Sequence, residues 1–313
     1  MAFAATWRRT QRTPGVTASV PSRWTERAPL LLALSVVWGA IGFLYRYLSF
    51  RDFPNDHFMH LARAQQMLLG DWPTRDFFDP GLPLAYVVSA VPQVIFGQTL
   101  LVEAVLVFGS FALAAAVTHW LAARWSHSLW LAGVLTALQI LVFPRSYSFP
   151  KLLLYPIAAL ALDRYVATPS SRRLAILAAW TVIAFLMRYD HGLFVGIGFA
   201  VGIALTRPSA GWPPALLSVA RYVAMVLLLV APYALYLQWT AGLIAYARDA
   251  IAFSRAESRH FPVVLPSFAL DTASALAREE PSATIHVRWP ATLGNDDRVR
   301  LEQELGLTRD ERL

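Results

Sequence analysis

A series of apolar segments, separated by short polar stretches, runs from residue 29 to residue 237 and restricts how this chain can fold. The first segment, 29–48, is about 20 residues long, which is enough for an α-helix to cross a bilayer. Backbone groups inside lipid must be satisfied within their own segment, so each span is expected to be helical. The chain is 57% hydrophobic and 15% charged, whereas soluble domains carry about 25% charged residues. The pattern predicts an all-α polytopic membrane protein. The further apolar segments are 82–97, 99–121, 129–143, 152–166, 174–187, 193–206 and 215–237.

Several of these segments are shorter than a full span. Their helices are therefore expected to extend into flanking polar residues, or to be tilted or broken. Proline lies at or inside many of them, and in membranes such prolines often mark a kink near a cavity. These prolines are Pro83, Pro92, Pro156 and Pro232.

Residues 1–28 form an arginine-rich N-terminus in which Glu26 is the only acidic residue. Positive charge ahead of a first span predicts a cytoplasmic N-terminus. The 29–48 segment lacks a short apolar core followed by a small-residue cleavage site, which predicts a retained anchor. The net charge of +7 does not indicate nucleic-acid binding, because no basic folded module accompanies the cluster. The chain has no cysteine, which excludes disulfides, thiolate metal sites and cysteine nucleophiles.

The orientation depends on whether segment 82–97 crosses the membrane. If it enters the membrane without crossing, most of the later arginines lie on the cytoplasmic face. The positive-inside bias favours this arrangement. The loop 49–81, the loop 144–151 and the turn 188–192 then share the opposite, extracytoplasmic face. If 82–97 crosses, Arg172 and Arg173 move outside and the polar motifs divide between the two faces. The arginines on the cytoplasmic face in the first arrangement are Arg124, Arg164, Arg172, Arg173 and Arg207.

Residues 241–313 differ in character from the apolar part of the chain. The stretch 241–258 has an amphipathic helical pattern and is expected to lie at the membrane interface. From residue 262 the chain reads as a small, soluble extracytoplasmic tail, with a strand at 285–289 and a charged helix at 296–305. A tail of about 50 residues is too small for a robust core of its own. The charged ending suggests the N-terminal part of a longer protein.

The polar loop after the first span contains the first candidate site. Asp56 and His60 lie one helical turn apart and share a helix face. Asp56 is a candidate base that takes a proton from an acceptor hydroxyl. Asp56 and His60 together are an alternative divalent-metal site. A third interpretation is that Asp56 caps the helix, with its carboxylate accepting hydrogen bonds from the unpaired backbone N–H groups of the first turn.

Two further polar groups follow in the same loop. Arg75 and Asp76 form either a surface ion pair of little energetic value or, through Arg75, a bidentate grip on a phosphate. Asp79 stands before Pro80 and Gly81, where an aspartate is ordinary turn chemistry.

The turn 188–192 places Arg188, Asp190 and His191 between two apolar segments. Charged residues at membrane depth are costly and suggest function by default. The alternative is a short solvated turn closed by Gly192. Lys151 lies in a loop on the same predicted face, where it contacts a phosphate or snorkels from a helix end.

The spacing of these motifs resembles a known superfamily. Asp56 shortly after the first span, residues 69–73 (Leu-Gly-Asp-Trp-Pro) and residues 75–81 (Arg-Asp-Phe-Phe-Asp-Pro-Gly) resemble the first extracytoplasmic loop of GT-C glycosyltransferases. These enzymes include protein O-mannosyltransferases and bacterial lipid A aminoarabinose transferases. Residues 94–97 and the helix after them are also similar, and the likeness extends over residues 30–240. Many members carry a glutamate after the loop aspartate, where this chain has His57.

The resemblance implies a GT-C-like helical domain over 29–240 and a specific activity. GT-C enzymes transfer a sugar from a polyprenyl-phosphate donor to a glycan, lipid or protein acceptor on the non-cytoplasmic face, usually with inversion. For this chain it implies a bacterial inner-membrane location with the site on the periplasmic or extracellular face. Asp56 corresponds to the family's candidate base. The expected substrate-binding residues are His57, His60, Arg75, Asp76, Asp79, Lys151, Arg188, Asp190 and His191.

The lipid bilayer and the lipid-linked sugar are the expected partners, and a divalent metal remains an alternative cofactor. Two other functional classes stay open. A transporter or flippase of lipid-linked sugars would bind the same groups without catalysis, and a membrane scaffold would use none of them. A transport path is expected to carry polar residues through the depth of the membrane, whereas the polar motifs here gather on one predicted face.

Overall fold

The computed structural model of the protein describes residues 28–142, 144–206 and 212–260, and these residues fold into helices joined by short loops. In chain order we label the helices α1 (Ala28–Ser49), α2 (Asn55–Leu68), α3 (Pro83–Phe96), α4 (Leu100–Ser126), α5 (Leu129–Leu141), α6 (Phe149–Ala167), α7 (Ser171–Met187), α8 (Tyr189–Thr206), α9 (Trp212–Thr240) and α10 (Leu243–His260). A 3₁₀ turn, Ser146–Ser148, precedes α6. Within the described ranges the β structure is limited to an isolated bridge between Pro73 and Phe77.

Among the helices of the described residues, four are long and apolar enough to cross a membrane: α1, α4, α8 and α9. The predicted all-α, membrane-spanning class is confirmed at this level. Three of the short segments extend into flanking residues as expected: α6 begins at Phe149, α7 at Ser171 and α8 at Tyr189. The other two short segments do not, since α3 and α5 stay within 82–97 and 129–143. Some of the sequence-based predictions lie outside the described residues. These are the N-terminal arginine cluster, Arg207, and the tail elements at 285–289 and 296–305.

Helices α1 and α4 pack antiparallel at very short range. A Cβ atom on Gly39 would lie 2.9 Å from the carbonyl oxygen of Ala112, so glycine is needed for this approach. At one end of the pair the rings of Phe50 and Phe108 are 5.2 Å apart. At the other end Leu31 packs in a cluster with Ala123. The end of α1 and the start of α4 therefore lie at the same end of the bundle.

Helix α3 begins and ends at that same end. Ahead of α3, a Cβ on Gly81 would lie 2.5 Å from the ring of Tyr189, at the start of α8. After α3, Gln98 accepts a hydrogen bond from Gln65 of α2, at 2.7 Å. The 82–97 segment thus dips into the bundle without crossing it, which is the first of the two arrangements considered from the sequence. Its 14 residues are also fewer than the ~20 that a full span requires.

The polar segments divide between the two ends of the bundle as the dipping arrangement requires. We call the end that carries residues 49–100 the Asp56 end, and the opposite end the Arg164 end. The loop before α6 and the α7–α8 turn lie at the Asp56 end, where Tyr155 and His191 are in contact at 3.0 Å. At the Arg164 end, Trp125 donates to Asp163 at 3.1 Å. The amphipathic helix predicted at 241–258 is confirmed as α10. It lies at the Asp56 end, where Ser254 hydrogen-bonds Tyr189 at 2.8 Å.

The two-ended arrangement predicts a labelling pattern for introduced cysteines, which is readable because the chain has none of its own. Asn55→Cys and Gln98→Cys flank the α2–α3 segment, and Pro169→Cys lies at the Arg164 end; all three positions are exposed. We expect a membrane-impermeant maleimide to label the first two from one side of intact vesicles and the third from the other. Labelling of Asn55→Cys and Gln98→Cys from opposite sides would contradict the dipping geometry of α3.

Candidate functional site

Asp56 lies in the first turn of α2, and its side chain is exposed at the Asp56 end of the bundle. The N-cap position of α2 is Pro54, which has no side-chain oxygen to accept a capping hydrogen bond. The interpretation of Asp56 as the capping residue is therefore wrong, because the helix begins one residue earlier, at Asn55. A carboxylate in the first turn is still stabilised by the helix dipole. This carboxylate is exposed and held at the start of a helix.

His57, the next residue, lies about 100° further around the helix and is 1% exposed. Its Nε2 lies 2.9 Å from Oε1 of Glu103 in α4, and Glu103 is also 1% exposed. Ser89 of α3 donates a hydrogen bond to the same carboxylate oxygen at 3.0 Å. The imidazole stacks on Phe53 with 4.2 Å between ring centroids. His57 was expected to bind substrate; its burial instead makes it an anchor that joins α2 to α3 and α4.

His60 shares the outward face of α2 with Asp56 and is half-buried. Burial lowers the pKa of its imidazole, and Asp56 partly opposes this while Arg188 adds to it. Arg188, in the α7–α8 turn, is therefore within electrostatic range of α2. A lowered pKa keeps the imidazole neutral near pH 7, so that it can accept a proton or a hydrogen bond.

The loop before α6 brings a cation to Asp56. The guanidinium of Arg145 is exposed and donates to the hydroxyl of Tyr147 at 3.3 Å. This hydrogen bond raises the pKa of Arg145, and the carboxylate of Asp56 contributes in the same direction. Asp56 and Arg145, which are far apart in sequence, are thus electrostatic neighbours.

The α7–α8 turn forms a small polar network. Arg188 Nε is 3.0 Å from Oδ1 of Asp190, and the same oxygen accepts the backbone N–H of His191 at 2.8 Å. His191 Nδ1 lies 3.0 Å from the hydroxyl of Tyr155 in α6. Lys151, one turn before Tyr155 on α6, also acts electrostatically on His191. The turn is therefore tied to α6 through the imidazole of His191.

Close packing fixes where this turn sits. A Cβ on Gly192 would lie 2.4 Å from Cα of Phe185, so α7 and α8 can approach this closely only with glycine at that position. In the alternative interpretation of the sequence, Gly192 closed a solvated turn. In the structure it lies inside α8 and permits helix contact. Its effect is to hold Arg188 and Asp190 against α6.

Arg75, Asp76 and Asp79 lie in the loop between α2 and α3, at the same end. Arg75 Nη2 is 2.6 Å from Oδ2 of Asp76, in an exposed pair, and the guanidinium lowers the pKa of the Asp76 carboxyl. Asp79 is 1% exposed and accepts the backbone N–H groups of Gly81 and Leu82 at 3.0 and 2.8 Å. Burial raises the pKa of Asp79 despite these bonds. The observed contacts match the simpler interpretations, a surface ion pair and a turn.

Two residues that complete the arrangement were not selected from the sequence. Tyr155 lies on an apolar helix, and nothing in its spacing indicates the contact with His191. Glu103 does carry a signal, since a lone carboxylate within an apolar segment requires a partner; that partner, His57, is 46 positions away. As for metals, the described part of the chain contains no group of three or more His, Asp and Glu side chains arranged to hold an ion. Asp56 and His60 alone form the two-residue alternative.

The buried contact of His57 and Glu103 predicts a non-additive effect on stability. Removing one partner of a buried polar pair costs about 3–5 kcal/mol, whereas replacing both by apolar groups is often close to neutral. We expect Glu103→Leu and His57→Leu each to lower the unfolding midpoint in detergent strongly, and the double variant to be more stable than either. Ser89→Ala is the matched control and should cost about 1 kcal/mol. Additive losses in the double variant would mean that the two side chains do not stabilise each other.

One end of the described bundle thus carries an exposed carboxylate, two imidazoles and three cations. These groups are Asp56 and His60 of α2, Arg145 of the loop before α6, Lys151 of α6, and Arg188 and His191 of the α7–α8 turn. Such a set can bind an anion and accept a proton from a hydroxyl group beside it. Comparisons with known protein families, with curated proteins and with solved structures find no match to this chain.

Proposed function

We propose that this chain is an integral membrane glycosyltransferase that moves a sugar from a polyprenyl-phosphate donor to an acceptor at the Asp56 end of the bundle. The observation that carries the proposal is that Asp56, Arg145 and Arg188, from three separate parts of the chain, all lie at that end. Charged groups at the margin of a membrane are costly, so their concentration at one end favours a site. The likeness of residues 53–81 to GT-C first loops supports the same reaction class.

The cations suit a lipid-linked phosphate. A polyprenyl chain stays in the bilayer, so the phosphate it carries lies at the membrane surface, at the depth where the helices end. Arg145 is exposed, and Arg188 keeps N–H groups beyond the one that contacts Asp190. Guanidinium groups bind phosphate oxygens in a bidentate manner and stabilise the charge that develops on a departing phosphate. Lys151 adds a third positive charge beside His191.

Asp56 is the proposed general base. Its carboxylate takes the proton from an acceptor hydroxyl as that oxygen bonds to the anomeric carbon. The bond between the anomeric carbon and the phosphate oxygen breaks at the same time, and the phosphate leaves with the bonding electrons. Attack opposite the leaving group inverts the anomeric configuration. His60, whose lowered pKa keeps it neutral, lies one turn further along the helix and can orient the acceptor.

His57 and Glu103 act at a distance from this chemistry. His57 is adjacent to Asp56, and its buried contact with Glu103 sets the rotation of α2. A helix held in this rotation presents Asp56 and His60 outward. We assign His57 and Glu103 a positioning role and do not count them among the groups that touch substrate.

The proposed base is tested by Asp56→Asn in membranes supplied with a panel of radiolabelled hexosyl and pentosyl polyprenyl phosphates. The amide keeps the size of the side chain and cannot accept the proton, so we expect the transfer rate to fall by about 10²–10⁴-fold. Asp71→Asn, in the same loop and without an assigned role, is the matched control and should retain the wild-type rate. Wild-type transfer by Asp56→Asn would exclude Asp56 as the base. Movement of the labelled donor across vesicles without any transfer product would favour the transporter class instead.

The proposed phosphate contacts are tested by Arg145→Gln and Arg188→Gln. Loss of a hydrogen bond to a charged group costs about 1.5–3 kcal/mol, so we expect each variant to raise the KM for the lipid-linked donor by roughly tenfold or more. The KM for the acceptor should change little. Arg51→Gln removes an exposed charge from the same end without touching the proposed site. An equal rise in donor KM for Arg51→Gln would indicate a general charge effect and not a phosphate site.

A further inference from the structure

A cavity of about 640 Å³ opens between α6 and α7 at the Arg164 end, away from the candidate site. Its walls are of two kinds. Ile157, Leu160 and Ile176 form an apolar part along the two helices. Arg164, Arg172 and Arg173 line the part next to the turn that joins them. The volume lies within the ~300–1,000 Å³ range of small-molecule sites.

The three arginines are in different situations. Nη1 of Arg173 donates to the backbone oxygens of Arg164 and Thr168, so this guanidinium closes the turn. Arg164 and Arg172 are exposed, and within the described residues neither forms an ion pair with a carboxylate. The nearest acidic residue in sequence, Asp163, is already bound by Arg124 at 3.4 Å and by Trp125 at 3.1 Å. The cavity therefore presents net positive charge.

The level of the cavity relative to the membrane is indicated by the helix ends that lie next to it. Trp125 is the last residue but one of α4, a candidate membrane span, and it contacts Asp163, the residue before Arg164. Leu162 packs against α8 near its end, where a Cβ on Gly202 would lie 2.8 Å from it. The arginines thus lie where two candidate spans end, while Ile157 and Leu160 extend from there towards the middle of the bundle. Charged headgroups and acyl chains meet at that level of a bilayer.

We propose that this cavity binds an anionic glycerophospholipid. The headgroup phosphate contacts Arg164 and Arg172, and one acyl chain runs along Ile157, Leu160 and Ile176. Basic pockets between membrane helices recognise anionic lipids through this combination of guanidinium groups and apolar walls. The apolar half of the cavity favours a lipid over a soluble phosphate, because a soluble ion leaves it unfilled. The site is separate from the proposed sugar-transfer site, which lies at the opposite end.

The test is native mass spectrometry of the whole protein in detergent, titrated with phosphatidylglycerol or with phosphatidylcholine. Removing a single arginine near a membrane surface weakens the binding of anionic lipid by about fivefold. We expect Arg164→Gln and Arg172→Gln each to raise the dissociation constant for phosphatidylglycerol by about this factor, and the double variant to raise it by roughly twenty-fold or more. The affinity for phosphatidylcholine should not change. Arg173 is left intact because it holds the turn.

Arg51→Gln is the matched control, since it removes one exposed arginine from the opposite end. It should leave phosphatidylglycerol binding unchanged. Ile176→Ser tests the apolar wall. It should weaken the binding of phosphatidylglycerol, and it should not change the affinity for glycerol 1-phosphate, a soluble phosphate that lacks acyl chains. The proposal is overturned if the double variant binds phosphatidylglycerol as the wild type does. It is equally overturned if phosphatidylcholine binds as tightly as phosphatidylglycerol, or if glycerol 1-phosphate displaces the lipid at comparable concentrations.

Discussion

The buried contact between His57 and Glu103 is the interaction on which the candidate site most depends. It joins α2 to α4, and Ser89 brings α3 to the same carboxylate. Both side chains are removed from solvent, where an unpaired polar group would be strongly destabilising. His57 and Ala64 are the buried residues of α2, and Asp56 is exposed.

Membrane physics explains why the remaining polar groups lie at the two ends of the bundle. Lipid cannot satisfy a charge, so a polar loop must reach the surface or be buried against protein. Antiparallel packing of α1 and α4 carries the chain from the Asp56 end to the Arg164 end after residue 99, and glycine at position 39 permits this packing. Each later helix that runs from one end to the other places the loop after it at the opposite end from the loop before it. The outcome is a proposed catalytic end and an arginine-rich end, each with a different chemistry.

Much of this arrangement could be predicted from the sequence, because hydropathy and charge bias are properties of single segments. The apolar segments located the helices, and the arginines located the two ends, including the dip of 82–97. The sequence could not predict contacts between segments. The roles of His57 and Tyr155 depend on partners 46 and 36 positions away, respectively. The capping interpretation of Asp56 failed for a local reason: the helix starts at Asn55, immediately after a proline, and this displaces the cap from the aspartate.

The short α2–α3 segment has a consequence for the proposed chemistry. A pair of full spans in this position would also return the chain to the Asp56 end, but it would carry the intervening loop to the far side. With helices of 14 residues each, the loop 69–82 stays at the Asp56 end, where Tyr236 of α9 donates to the backbone oxygen of Pro73. Phe78 of this loop packs against Phe253 of α10 at 5.5 Å. The loop and α10 thus cover part of the same end as Asp56. The transferase we propose needs a site of this kind, at the end of the bundle, where a polyprenyl donor in the bilayer and an acceptor in water can both reach it.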